Sequence, residues 1–228
     1  MGNPRNRNNP LALAVLMCLY ERPMHPYEAA TTLRQRHKSD SVRLNYGSLY
    51  AVVSSLERRG LIAAQGTARA GRLPERTVYE ITDAGRVEAH DWLAELLSRP
   101  IKEYPAFEAG LSFMAALPPR EALSLLQERA VGLELALAQE RAALALIGER
   151  GLPRLLWVEA EYAVTLREAE LGFVRRLVAD IATGSIGGIE WWRALHAEDG
   201  ARQLPPPFVE QWPELAFALG PDDREEQP

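Results

Sequence analysis

The chain has 228 residues, is 47% apolar and 25% charged, and carries a formal net charge of −5. That length and apolar content support a buried core and exclude a wholly disordered chain. The single cysteine, Cys18, excludes an intrachain disulfide and a cysteine-based zinc site. No apolar run reaches the roughly 18 residues that a membrane span needs, so a soluble protein in the reducing cytoplasm, without metal or cofactor, is expected.

Residues 1–10 are rich in Asn, Pro and Arg and suggest a flexible arm. Arg5 and Arg7 followed by apolar Leu11–Tyr20 superficially match an export signal, but Met17 stands where a small residue should precede Cys18, and the run leads into a helical pattern. Leu11–Glu21 is therefore expected as a helix, ended by Arg22-Pro23. Pro26 suits the first position of a second helix reaching Arg36, with Glu28 in its first turn. Asn45 to Ser48 can cap a third helix that runs to Arg59, and Gly60 stops it. Leu61–Ala64 and Thr77–Ile81 have the composition of short strands, with a Gly/Arg/Pro loop at 66–75 between them. Thr82 caps a fourth helix, Asp83–Ser98, whose apolar residues are Val87, Trp92, Leu93 and Leu96. The order helix–helix–helix–hairpin–helix is that of a winged helix-turn-helix.

Two prolines in Arg99–Ala106 mark a boundary. Beyond it, Phe107–Leu117 precedes a long helix over Arg120–Arg150, striped with Leu123, Leu126, Ala130, Leu133, Leu137, Leu144 and Ile147, with Glu140 as the one misfit to a heptad. Gly151-Leu152-Pro153 then leads into Arg154–Thr183, whose stripe is taken as Val158, Tyr162, Leu166, Ala169, Phe173, Leu177 and Ile181; Ile189–His196 is a short amphipathic piece. The fold class is therefore mainly α, a winged helix-turn-helix followed by a long helical hairpin. The expected domains are 1–98 for DNA binding, 99–196 for dimerisation through Leu126, Leu133 and Leu137, and 197–228 as a Pro-rich acidic tail.

Charge supports a division of labour. Residues 1–76 hold twelve Lys/Arg against five Asp/Glu, and residues 99–228 hold thirteen against twenty-one. A basic front half on an acidic protein suits a polyanionic partner for that half alone.

Several pieces of the front half resemble the PadR family of bacterial transcriptional regulators: Leu11–Tyr20, Pro23-Met24-His25-Pro26-Tyr27-Glu28, Gly47-Ser48-Leu49-Tyr50, Leu56-Glu57-Arg58-Arg59-Gly60-Leu61-Ile62, and Val78-Tyr79-Glu80-Ile81-Thr82-Asp83-Ala84-Gly85. Residues 107–196 are similar to the longer C-terminal helical domain of one branch of that family. Pro26 replaces the family's usual glycine, Ser48 a threonine, and Ala51 a proline. The resemblance implies a regulator, most often a repressor, and no catalysis. The sequence agrees on the last point: it has no H-E-x-x-H, no G-x-S-x-G and no glycine-rich phosphate loop.

In this architecture the third helix enters the major groove. Leu49, Val52 or Val53, and Leu56 should pack inward. Asn45, Tyr46, Ser48, Tyr50, Ser54, Ser55 and Arg58 then form the candidate DNA-facing set, whose hydroxyls and amides suit base edges and phosphates. Arg69, Arg72 and Arg76 of the wing suit phosphates or a narrow minor groove. Arg5, Arg7, Arg34, Arg36, Lys38 and Arg43 are expected to add backbone contacts. Trp92 and Trp157, with Trp191 and Trp192, are candidate walls for a small-molecule effector, and Cys18 is expected in the core. The expected function is thus a homodimeric, effector-responsive repressor binding an operator in double-stranded DNA; the alternative is a winged-helix protein–protein interaction module without DNA binding.

Overall fold

The computed structural model describes Arg7 and residues 9–38, 41–68 and 76–197. The chain divides into two compact units, Met1–Glu103 and Tyr104–Pro228, and the division falls inside the proline-bearing segment 99–106.

The first unit runs α1 (Pro10–Glu21), α2 (Pro26–Gln35), α3 (Tyr46–Arg58), β1 (Ile62–Ala68), β2 (Arg76–Ile81) and α4 (Asp83–Ser98). Each helix begins on a side chain that satisfies an otherwise orphaned amide. Asn9 Oδ1 accepts from Leu11 N at 3.1 Å, His25 Nδ1 from Tyr27 N at 3.1 Å, Asn45 Oδ1 from Gly47 N at 2.9 Å and Thr82 Oγ1 from Gly85 N at 3.0 Å. Pro10 and Pro26 occupy first-turn positions, where the missing N–H costs nothing. One core joins Leu16 of α1, Ala30 of α2, Leu49 and Leu56 of α3, Ile62 of β1, Ile81 of β2 and Trp92 of α4. Each such Leu or Ile contributes about 1.5–3 kcal/mol relative to an exposed position. Cys18 is in this core, and burial pushes its thiol pKa up to about 11.

β1 and β2 pair antiparallel from Ile62↔Ile81 onward, with a bulge between Ala64 and Gly66. Gly66, at φ 137°, adopts a backbone that a Cβ would resist, and this lets β1 continue past Ala64, where its apolar run ends. A third edge comes from Met24, whose N–H donates to Tyr79 O at 3.0 Å while Tyr79 N–H donates to Met24 O at 3.1 Å. The turn between α1 and α2 is thereby fastened to the wing. Of the apolar residues expected to anchor α4, only Trp92 is buried. Val87, Leu93 and Leu96 are exposed, and the inward face is Gly85, Glu88, Ala89 and Trp92. A charge stands on that face, so counting apolar residues picks the wrong side.

The second unit runs α5 (Ala106–Ser112), a 3₁₀ turn (Met114–Ala116), α6 (Pro119–Glu149), a second 3₁₀ turn (Arg154–Leu156), α7 (Val158–Thr183) and α8 (Ile189–Leu195). α6 buries Ala122, Leu126, Ala130 and Leu137, with Leu123, Leu133 and Leu144 half-buried beside them. α7 buries only the C-terminal end of the stripe expected for it, with Ile181 buried and Leu177 half-buried. Val158, Tyr162, Leu166 and Phe173 are exposed, and the buried row is Val164, Leu171, Val174 and Ile181, with Val178 half-buried. The expected row mostly advances by four residues and winds off one face; the true row alternates steps of three and four once Arg167 is counted in it. Arg167 sits there because it pairs with Glu140, the single misfit on α6. The pairs Arg175–Glu134 at 2.8 Å and Arg141–Glu168 at 2.6 Å flank the seam and fix the antiparallel run of the two helices. α8 closes one end, with Trp192 Nε1 donating to Leu117 O at 2.8 Å.

Gly132, inside α6, is exposed, and a Cβ there would meet no atom within 4 Å. Gly132→Ala should therefore raise stability by about 0.5–1 kcal/mol, read as a higher thermal midpoint of the hairpin.

Candidate nucleic-acid interface

α3 presents three strips. Leu49, Val52, Val53 and Leu56 face the core. Ala51, Ser54 and Arg58 point away from it and are exposed. Ser48, Ser55 and Arg59 form one flank, facing Asn9 and Ala12 at the start of α1 across a crevice of about 340 Å³. Tyr46 and Tyr50 lie toward the other flank, and Tyr50 is 50% exposed. Asn45 is the cap and is also exposed. The candidate residues on α3 therefore do not share one strip: Ser54 and Arg58 face straight out, Ser48 and Ser55 line the crevice, and the tyrosines occupy the opposite side.

Tyr46 is held in place. Its ring stacks on Tyr27 at 6.0 Å between centroids and 11° between planes. The Arg34 guanidinium lies 4.4 Å from the ring centroid and also donates to the Tyr46 hydroxyl. Arg34 thus orients an aromatic ring rather than standing free for a phosphate. Arg36 is similarly engaged, with Nη2 2.8 Å from Glu21 Oε2; that hydrogen bond raises the Arg36 pKa and lowers that of Glu21. Arg43 and Arg58 are exposed and have no carboxylate partner among the described residues.

Arg7, expected to reach a phosphate, instead pairs with Glu88 and Glu95 of α4. The reason is the buried Glu88 carboxylate, which needs a counter-charge. The Arg7–Glu88–Arg59 cluster was missed in sequence because its members stand 81 and 29 residues apart; the legible signal was a glutamate on the face shared by Gly85, Ala89 and Trp92. The backbone of β2 starts at Arg76; its side chain and the wing arginines Arg69 and Arg72, like Arg5, lie outside the described residues.

The profile of the transcriptional regulator PadR-like family matches residues 15–91. The chain carries a PadR-like domain. The family so matched is described as one of transcriptional regulators. Among solved structures the chain is similar to Bacillus subtilis PadR in complex with operator DNA, at 20% identity and a TM-score of 0.60, covering 76% of this chain and 99% of that one. It is also similar to the same protein in complex with p-coumaric acid, at 19% identity and TM-score 0.58, covering 75% and 98%, and to the Vibrio cholerae virulence activator AphA, at 16% identity and TM-score 0.56, covering 76% and 98%. These likenesses show the fold, a PadR-type winged helix with a C-terminal helical unit. Among curated protein sequences none matches the chain.

The remaining candidate residues stand outside α3. Leu126 and Leu137 are buried, and Leu133 half-buried, against α7 of the same chain. Trp92 is 1% exposed in the core of the first unit, and Trp157 donates Nε1 to Leu152 O at 3.1 Å; neither lines the crevice beside α3. No group of three or more metal-ligating side chains occurs among the described residues, and no described helix is long and apolar enough to cross a membrane.

Proposed function

We propose that this protein is a homodimeric, operator-binding repressor controlled by a small-molecule effector. The observation that carries the DNA reading is the outward strip of α3. Ala51, Ser54 and Arg58 project from a rigid winged helix, flanked by exposed tyrosines on one side and serine hydroxyls on the other. A helix so furnished fits the major groove, where small polar groups and a methyl can approach base edges and a free guanidinium can meet a base or phosphate. The operator-bound relative of the same fold supports this use of α3, and the p-coumaric acid complex supports a response to a small organic ligand.

Dimerisation is read from the outer faces of the hairpin. Val131 and Leu135 of α6 and Tyr162 and Leu166 of α7 are exposed on the sides away from the intrachain seam. Apolar stripes of this length suit burial against a second copy. Leu126, Leu133 and Leu137 then act from beneath, by holding the hairpin that displays those stripes.

The test is the salt dependence of binding to a duplex selected from genomic fragments. With about six to ten phosphates contacted, affinity should fall on the order of 10³-fold or more between roughly 50 and 200 mM salt. Arg58→Ala and Arg72→Ala should each flatten the salt slope by about one per site. Absence of salt-dependent binding would leave the domain as a protein-contact module.

A further inference from the structure

Glu88 is a fully buried carboxylate, 6% exposed, on the inward face of α4. It accepts hydrogen bonds from two directions. Arg7 gives Nη2 to Oε2 at 3.2 Å and Nε to Oε1 at 3.4 Å, and Arg59 gives Nη2 to Oε1 at 3.1 Å. Arg7 is itself largely buried, its side chain 13% exposed, and it also pairs with Glu95 about two turns further along α4. The cluster thus joins three pieces of chain: the segment before α1, the C-terminal end of α3, and α4. Arg59 also forms part of the crevice wall with Ser48 and Ser55, opposite Asn9. The contacts that satisfy Glu88 therefore also set the gap between α1's start and the flank of α3. Its neighbour Arg58 is exposed too but has no carboxylate partner among the described residues.

A buried carboxylate is stable only when paired, and apolar side chains of similar size would fill the same space at lower cost. What apolar packing would not do is fix direction. The charged hydrogen bond from Arg59 ties the end of α3 to α4 and so limits the roll of α3 about its axis, and base-edge contacts are lost when such a helix rolls by roughly 10–20°.

We propose that Glu88 is a positioning residue for DNA recognition: it ties the end of α3 and the segment before α1 to α4, and it keeps Arg7 and Arg59 out of phosphate contact. This rests on the reading of α3 as the DNA-facing helix. Adjacent arginines then have opposite tasks, Arg58 meeting nucleic acid and Arg59 meeting the protein.

The full chain, with Arg58→Ala, Arg59→Ala, Arg7→Ala and Glu88→Gln variants, is titrated with its selected duplex and a scrambled duplex at several salt concentrations. Arg59→Ala should lower affinity for the selected site by about tenfold, while scrambled-duplex binding and the salt slope stay as in the unmodified protein. Arg59→Lys should recover part of that loss. Arg58→Ala should instead flatten the slope by about one on both duplexes. Glu88→Gln, which leaves Arg59 without its counter-charge while Arg7 keeps Glu95, should steepen the slope by about one and tighten scrambled-duplex binding. Should Glu88→Gln fail to fold, Arg59→Ala and Arg7→Ala, each of which leaves Glu88 paired with the other arginine, decide the matter. The proposal is overturned if Arg59→Ala flattens the slope as Arg58→Ala does, or if it leaves the ratio of selected to scrambled binding unchanged. Failure of the DNA reading itself is recognised separately, because the unmodified protein then shows no salt-dependent binding and Arg58→Ala is silent as well.

Discussion

Gly85→Ala should unfold the winged unit or come close to it. A Cβ built on Gly85 would stand 2.0 Å from Leu61 O and 2.8 Å from Ile81 Cγ1. The first contact is with backbone, and that backbone is fixed: Leu61 O accepts from Thr82 N at 3.1 Å, and Thr82 Oγ1 donates to Gly60 O at 2.7 Å. The wing, the end of α3 and the start of α4 meet at this corner, so no single element can move aside. Forced overpacking of this kind costs about 3 kcal/mol or more, and for a domain of this size each kcal/mol lowers the thermal midpoint by about 4–8 °C. Calorimetry of the variant should show the N-terminal transition lost or lowered by more than roughly 10 °C. A midpoint within a few degrees of the unmodified protein would show that the corner can open.

Leu166→Glu should separate the dimer without unfolding the chain. Leu166 is 53% exposed on the outer face of α7, beside Tyr162 at 66%, and it is absent from the core that joins α7 to α6. A carboxylate there is solvated in the monomer and desolvated in a dimer packed through that face. Sedimentation should show monomers, and affinity for a two-half-site operator should fall roughly 10²-fold or more once the second domain no longer binds in the same complex. A variant that stays dimeric and binds as before would locate the clamp on another surface.

The helices of the first unit were legible almost to the residue, because each begins on a side-chain cap, with a proline opening α1 and α2 and a glycine just past α3, and such signals are local. β1 was cut short because its apolar run ends at Ala64 and Gly66 reads as the start of a loop, whereas Gly66 sits at a bulge within the strand. The buried faces of α4 and α7 were only partly legible, at Trp92 and at Leu177 and Ile181, for one reason: each carries a charged residue on its buried side. Glu88 and Arg167 are hidden from a hydrophobicity count by their own polarity, and their partners lie on other elements. The candidate site was legible as a helix and only partly as a surface. Hydroxyl-rich α3 announced itself, but that Ser48 and Ser55 face Asn9, and that Tyr46 is clamped between Tyr27 and Arg34, depends on where α1 and α2 pack.

The pairing of Glu140 with Arg167 also bears on how the hairpin avoids misassembly. Leucine-striped antiparallel helices can slide by one seven-residue step and still bury leucines against leucines. In this chain such a slide would set Arg167 opposite Leu133 or Ile147 and Glu140 opposite Val174 or Ala160. Each slipped arrangement strands two opposite charges on apolar neighbours, whereas the native one brings them together. The two misfits act as a lock and key for alignment, which selects one length of overlap from among several that grease alone would accept.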